Sequence, residues 1–162
     1  MVNEKIFRTW LKDKLAPHAM VTKIETMTIS GVPDLHTIAN KIDCWIECKS
    51  VDSDCIKMRV SQWNWMRKYV GKHKGHYALI IHRPKTGHKR PRTVIDVYLG
   101  TTLCTKQMQQ FSNQHIRGDF IFWNKEETKP DFTFTQPVTD PVIQDLIQIL
   151  YNQKNLPCKC YS

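Results

Sequence analysis

The chain has 162 residues, of which 41% are hydrophobic, and 24 Lys and Arg against 15 Asp and Glu give a formal net charge of +9. This length fits one domain, and the hydrophobic content excludes a wholly disordered chain. No stretch is apolar enough to span a bilayer, and the N-terminus lacks the apolar core of a signal peptide, so we expect a cytoplasmic protein that is neither membrane-bound nor secreted. The positive balance favours a nucleic-acid partner, because basic groups that neutralise phosphates release condensed counterions.

The first part of the chain predicts a helix followed by three strands. Residues 4–16 place apolar side chains at helical spacing and Lys and Arg on the opposite face, which predicts an amphipathic helix ending before Pro17. Three extended segments follow, and turn residues separate them. They cover Val21–Ile29, Leu35–Ala39 and Asp43–Ser50.

A second helix and a buried strand are predicted next. Residues 51–60 are polar and predict a loop, and Ser61 is expected to cap a helix that runs to about Val70. The apolar run Tyr77–Ile81 is typical of a central buried strand. A helix between two strands of one sheet makes a right-handed crossover, so this strand should run parallel to Asp43–Ser50.

The remaining segments complete a mixed α/β fold. They predict a strand at Val94–Leu99, a helix at 101–112, a strand at 119–123 and a last helix starting at Asp140-Pro141. We therefore expect a mixed central sheet flanked by helices. The whole chain, 1–162, is predicted to be one domain, with a core at about 4–100 and a C-terminal α+β extension at about 101–162.

The residues that point to chemistry are Asp34, Glu47 and Lys49. Asp34 begins one predicted strand, and Glu47 and Lys49 lie two residues apart on the next, so their side chains leave the same face. If the strands form a hairpin, two carboxylates meet, and such a pair favours a hard divalent cation. The cation would polarise a phosphoryl group and lower the pKa of an attacking water, and Lys49 could orient that water and offset negative charge.

These residues also carry a family resemblance. Pro33-Asp34 followed by Glu47-x-Lys49 resembles the pattern of the PD-(D/E)XK nuclease superfamily. The strings GVPDL and IECK, with Gln62, resemble the VRR-NUC nucleases, and IECKS followed by KMRVSQWNWM resembles archaeal and phage Holliday-junction resolvases. The resemblance covers about residues 4–83. It implies a restriction endonuclease-like αβββαβ core, in agreement with the element order above.

The resemblance implies a role for each matching residue. Asp34 and Glu47 would ligate Mg²⁺, with Mn²⁺ also supporting activity, and the backbone carbonyl of Cys48 would join the metal ligands. Lys49 and Gln62 would position water and phosphate. Cys48 is an unusual residue between the two charges.

An acidic residue on the N-terminal helix is also implied as a metal ligand. Glu4 is the best match, and Glu25 is the alternative. Acidic residues are common at helix starts for dipole reasons, so Glu4 could equally serve the helix.

Structural interpretations compete with the catalytic ones. Asp34 could be a turn residue, Glu47 and Lys49 could form the solvated face of an edge strand, and Gln62 could be an exposed helix position. Trp63, Trp65, Met66 and Tyr69 could stack on bases, but their helical spacing favours the core for most of them. The basic residues predicted to contact nucleic acid are Lys57, Arg59, Arg67, Lys68, Lys85, Lys89, Arg90 and Arg92.

The function predicted from these observations is a Mg²⁺-dependent endodeoxyribonuclease. Its expected substrate is branched DNA such as a Holliday junction, and the resemblance to resolvases favours a homodimer. The alternatives are a nucleic-acid-binding module without catalysis, or a restriction-type or RNA-directed nuclease. The compact chain suggests a virus or mobile element, which would place the protein in the host cytoplasm.

Overall fold

A computed structural model describes residues 3–25, 28–85, 92–110 and 115–153. The described helices are α1 (Glu4–Leu15), α2 (Val60–Arg67), α3 (Gly100–Gln110) and α4 (Asp140–Tyr151), and a π-helical turn, Lys68–Lys72, continues α2. The described strands are β1 (Met20–Lys23), β2 (Leu35–Ala39), β3 (Ile42–Ser50), β4 (Cys55–Arg59), β5 (His76–Lys85), β6 (Arg92–Leu99), β7 (Ile116–Arg117), β8 (Phe120–Asn124) and β9 (Phe132–Thr135). No helix in these ranges is long and apolar enough to cross a membrane.

The main sheet has six strands in the order β1-β2-β3-β5-β6-β9. Strands β3 and β5 are parallel, as the predicted crossover through α2 requires, and the other neighbours are antiparallel. In the β2–β3 hairpin Leu35 lies opposite Ile46. Asp34 precedes Leu35 and Glu47 follows Ile46. Because the two strands are antiparallel, both acids lie at the same end of the hairpin.

Helices cover both faces of this sheet. Alternate residues of the central strand β5 face opposite sides, because side chains alternate along a strand. Ala78 and Ile80 join a core with α1 and α4, whereas Leu79 and Ile81 join a second core with α2 and α3. The predicted fold class, a mixed sheet flanked by helices, is confirmed.

A second sheet, β4-β8-β7, packs on the α2 side of the main sheet. Its inner side chains, Ile56, Met58, Ile121 and Trp123, are buried with α2. The predicted loop over 51–60 is therefore wrong at Cys55–Arg59, since antiparallel pairing with β8 makes this segment a strand. The helix after it begins at Val60, one residue before the predicted cap.

The C-terminal elements join the main sheet. Strand β9, which the sequence analysis did not predict, pairs with β6 at the sheet edge, and α4 packs against β3 and β5. Asp131, from the second Pro-Asp dipeptide, accepts hydrogen bonds from the Leu99 amide at 2.8 Å and the Thr102 hydroxyl at 2.6 Å. That dipeptide thus fastens the start of α3 to the turn before β9.

Candidate active site

The end of the β2–β3 hairpin gathers the predicted site residues. Glu47 and Lys49 lie on the face of β3 that also carries Trp45, which packs against the α2 core. Cys48, between them, is buried in the α1 and α4 core. The alternation of β3 therefore sends the two charged side chains toward α2, where Gln62 lies in the first turn of the helix.

Asp34 is held from two directions. The backbone N–H of Cys48 donates to Asp34 Oδ2 at 2.9 Å, and Arg8 Nη1 on α1 donates to Asp34 Oδ1 at 2.9 Å. The Arg8–Asp34 ion pair is largely covered, with side-chain exposures of 21% and 16%. A simple turn residue would need neither contact, so the structure gives Asp34 a fixed orientation.

Glu47 is a buried acid on an internal strand. Its side chain is 3% exposed, and β3 lies between β2 and β5 rather than at an edge. Gln62 Nε2 donates to Glu47 Oε1 at 2.8 Å, and Lys49 Nζ lies 3.7 Å from the same oxygen. The interpretation of Glu47 as part of a solvated strand face is therefore wrong.

Gln62 connects the site residues to each other. Its Oε1 accepts from Lys49 Nζ at 3.1 Å and from the backbone N–H of Arg59 at 3.0 Å. The same side chain donates to Glu47, so one amide fixes the acid, the amine and the start of α2. The contact with the Arg59 backbone is one that an exposed residue in the first turn of a helix also makes, whereas those with Glu47 and Lys49 are not explained by an exposed helix position.

Gly31 allows the turn before Asp34 to approach α2 closely. Its φ of +88° lies in the left-handed region that favours glycine, and a Cβ there would lie 2.2 Å from the backbone oxygen of Ser61. The turn thus passes against the first residues of the helix. This close approach brings the loop that carries Asp34 against the helix end that carries Gln62.

The electrostatics of the site favour a bound proton or cation. Burial raises the pKa of Glu47 well above its ordinary value, the Asp34 charge raises it further, and Lys49 partly opposes the shift. Burial also raises the pKa of the Cys48 thiol, so this side chain stays neutral. Two adjacent carboxylates with restricted access to water are a donor set that suits a hard divalent cation.

The predicted third acid is not part of this cluster. Among the residues that the structure describes, no group of three or more His, Cys, Asp or Glu side chains could hold a metal ion. Glu4 is exposed, and its negative charge raises the pKa of Glu47 further. Glu25 is exposed and pairs with Lys23 at 2.9 Å. Among the described carboxylates, Asp34 and Glu47 are the two that meet at the hairpin end and could hold a metal.

Arg8 belongs to the site, although the sequence analysis placed it on the polar face of α1. Its guanidinium neutralises Asp34 in the structure. One sequence signal could have identified it. Arg8 follows Glu4 by four residues, so both lie on the same face of α1, and a site near one of them would also be near the other.

The predicted nucleic-acid contacts fall into four pairs. Lys57 and Arg59 lie on the exposed face of β4, and Arg67 and Lys68 lie at the end of α2. The structure describes the backbone of Lys85 and Arg92, which are paired with each other in β5 and β6. Lys89 and Arg90 lie outside the described residues.

The aromatic residues of α2 are buried or half-buried against the second core. Trp63 and Met66 are buried, as their helical spacing predicts. Trp65 is half-buried, and its ring lies 5.1 Å from that of Tyr69 and 5.2 Å from that of Trp45.

The fold resembles that of a solved Holliday junction resolvase. The chain is similar to Hjc of Archaeoglobus fulgidus, a Holliday junction resolvase from an archaeal hyperthermophile, with a TM-score of 0.52 and 8% sequence identity over 76% of this chain and 85% of that one. No protein-family model matches the chain, and no curated protein sequence matches it. At this identity the similarity shows the fold alone. The resemblance to resolvases is thus supported at the level of the fold, and that to the VRR-NUC nucleases stays a prediction.

Proposed function

We propose that this chain is a metal-dependent endonuclease that hydrolyses DNA phosphodiester bonds. The observation that carries the proposal is the convergence of Asp34 and Glu47 with Lys49 and Gln62 at one end of the hairpin. Glu47 is buried beside a second carboxylate, and both features raise its pKa. Such a pair destabilises the fold unless a bound ligand neutralises its charge, and strongly shifted pKa values of this kind are typical of functional sites. The similarity of the fold to that of a resolvase supports the nuclease class.

In this proposal Asp34 and Glu47 hold Mg²⁺ or Mn²⁺, and the Cys48 backbone carbonyl completes the protein ligands. The N–H and C=O of a strand residue point to the same side, and the Cys48 N–H points to Asp34, so its carbonyl should also face the hairpin end. A cation there would polarise the phosphoryl group and acidify a bound water.

Lys49 and Gln62 would act on the water and the phosphate. Lys49 is 15% exposed and lies beside Glu47, so its ammonium is positioned to offset charge that develops on the phosphoryl oxygens. Gln62 fixes the direction of that ammonium through its 3.1 Å hydrogen bond. Water would attack in line with the leaving oxygen, with no covalent enzyme intermediate.

The proposed substrate is branched DNA, and the proposed assembly is a homodimer. Hjc of A. fulgidus is a Holliday junction resolvase, and the net charge of +9 suits a phosphate-rich partner. Paired cuts in a four-way junction require two active sites, which a dimer supplies. Analytical ultracentrifugation at micromolar concentration tests the assembly, and a monomer under these conditions would contradict it.

The test of the enzyme proposal is a panel of labelled substrates. Duplex DNA, a flap, a four-way junction, single-stranded DNA and RNA are incubated with the protein in Mg²⁺, in Mn²⁺ and in EDTA. We expect metal-dependent cleavage that is fastest on a branched substrate. Fastest cleavage of RNA or of plain duplex would instead favour an RNA-directed or restriction-type nuclease.

The matched variants are Asp34→Ala and Glu25→Ala. Asp34→Ala should abolish cleavage and preserve or tighten DNA binding, because it removes negative charge from the proposed interface. Glu25→Ala removes an exposed acid that pairs with Lys23 and should leave cleavage unchanged. Undiminished cleavage by Asp34→Ala would refute this site, and binding without cleavage in every metal would support the non-catalytic alternative.

A further inference from the structure

The exposed face of the second sheet interleaves cations with aromatic rings. Lys57 and Arg59 are exposed on β4, and Phe120 and Phe122 are half-buried beside them on β8. The register places Lys57 opposite Phe122 and Arg59 opposite Phe120. Together with Arg117 on β7, which lies opposite Phe120, these residues form what we call the aromatic–basic platform.

The rings and cations of this platform are in contact. Lys57 Nζ lies 3.7 Å from the centroid of the Phe120 ring and 5.8 Å from that of Phe122. The guanidinium carbons of Arg59 and Arg117 lie 5.3 Å and 5.9 Å from the Phe120 and Phe122 rings, respectively. These distances are those of cation–π pairs, which hold the positive charges directly over the ring faces.

The inner face of the sheet, not the platform, supplies the core. Ile56, Met58, Ile121 and Trp123 alternate with the platform residues and are the side chains buried against α2. Phe120 and Phe122 lie on the opposite, outer face and belong to neither core cluster. Packing in the core therefore explains the inner residues, whereas the two half-buried rings of the outer face lie outside both core clusters.

The platform adjoins the candidate active site. The backbone N–H of Arg59 donates to Gln62 Oε1, the atom that also accepts from Lys49. The next backbone N–H, that of Val60, donates to the carbonyl of Asp119 at 2.8 Å, which ties the start of α2 to the turn before β8. The Arg59 end of the platform is thus connected to Glu47 and Lys49 through the Gln62 side chain.

We propose that the aromatic–basic platform binds an unpaired segment of a DNA strand next to the cut. The bases would stack on Phe120 and Phe122 in place of the cations that lie over these rings in the free protein, and Lys57, Arg59 and Arg117 would move to the phosphates. Stacking on aromatic rings tolerates any base because every base has a π-face, and duplex DNA hides those faces. Asp119 precedes Phe120 and carries one negative charge against the three cations, so these four residues together remain positive. The inference rests on the proposed nuclease function and names its substrate feature.

The test measures binding without cleavage. Fluorescence anisotropy in EDTA compares a labelled oligo-dT, an abasic oligonucleotide of equal length and charge, and a blunt duplex. We expect the double variant Phe120→Ala with Phe122→Ala to weaken oligo-dT binding about tenfold or more, since stacking contributes roughly 1–3 kcal/mol per base. Binding of the abasic strand and of the duplex should change less than about twofold, because neither presents base faces.

The cations are tested separately. Lys57→Ala should weaken oligo-dT and abasic strands alike and reduce the slope of log affinity against log salt concentration by about 0.7, the value for one phosphate contact on a single strand. Lys14→Ala on α1 removes an equal charge from an exposed site outside this sheet and should change neither quantity.

Two further variants keep the test independent of folding. Phe120→Leu retains apolar bulk without a π-face and should still weaken oligo-dT binding, whereas Phe132→Ala removes a partly buried ring from the other sheet and should not. Equal losses for oligo-dT and the abasic strand, or no loss for either, would overturn the platform. Because the binding assay does not measure cleavage, a negative result there would not contradict the nuclease proposal. In the same way, an absence of cleavage in the substrate panel would not contradict DNA binding by the platform.

Discussion

Replacing Gln62 with Ala removes the amide that connects the candidate active site. Gln62 makes hydrogen bonds to Glu47, to Lys49 and to the Arg59 backbone, with lengths of 2.8, 3.1 and 3.0 Å. Two of these partners carry ionisable groups that are 3% and 15% exposed. Water can therefore replace the lost amide only in part, and both groups lose a specific partner.

The expected cost follows from these contacts. A neutral hydrogen bond contributes about 0.5–1.5 kcal/mol and one to a charged group about 1.5–3 kcal/mol. The lower ends of these ranges give about 3.5 kcal/mol for one neutral and two charged bonds, and water replaces part of the lost bonding, so we expect Gln62→Ala to lower the free energy of unfolding by about 3 kcal/mol. For a domain of this size, that loss corresponds to a fall in Tm of roughly 6–12 °C. In the proposed metal site Gln62 is an outer partner of Glu47. Loss of such a partner typically lowers activity about 10–100-fold, so we expect a fall of that size in kcat.

Thermal unfolding in EDTA and single-turnover cleavage in Mg²⁺ measure the two effects. Asn64→Ala is the matched control, because it removes an exposed amide from the same helix. It should change Tm by less than about 2 °C, as surface substitutions usually do, and leave the rate unchanged. If Gln62→Ala behaved like Asn64→Ala in both assays, the proposed role of the amide would be refuted.

The remaining predictions concern the acid pair and its supports. The pKa of Glu47 is raised in the folded chain, so the metal-free wild type should lose stability as pH rises from the ordinary value of 4.5 through the raised value. Glu47→Gln should flatten that profile of Tm against pH in EDTA; an unchanged profile would contradict the shift. Arg8→Met removes the ion-pair partner of Asp34 and should lower kcat about 10–100-fold. A kcat equal to that of the wild type would contradict the role of Arg8 in positioning Asp34. Gly31→Ala should lower the free energy of unfolding by about 3 kcal/mol through strain and the clash with Ser61, and normal chemical denaturation would disprove it.

Local sequence patterns predicted the elements that lie in the centre of the fold. The helical spacing of α1, the alternation of β2 and β3 and the apolar run of β5 each depend on residues close together in the chain. The parallel order of β3 and β5 followed from the helix between them. These elements are confirmed because burial on one or both faces imposes a period that neighbouring residues display.

Elements with weak local patterns were missed. Strand β4 alternates Cys, Lys and Arg with Ile56 and Met58, and the polar residues predicted a loop. It is a strand because it pairs with β8, more than sixty residues later in the chain, whose Ile121 and Trp123 share its buried face. Strand β9 is held in the same way by β6. Pairing partners this distant leave no signal in a short sequence window.

By itself the sequence determined that Glu47 and Lys49 share one face of a strand, and that Asp34 precedes the strand before it. Those relations depend only on the period of an extended backbone and on the short hairpin between the strands. Tertiary structure alone decided that Gln62 meets both charges, that Arg8 reaches Asp34 and that the aromatic–basic platform adjoins the site. Such contacts join separate helices and sheets, and their geometry is set by how the layers pack around the core.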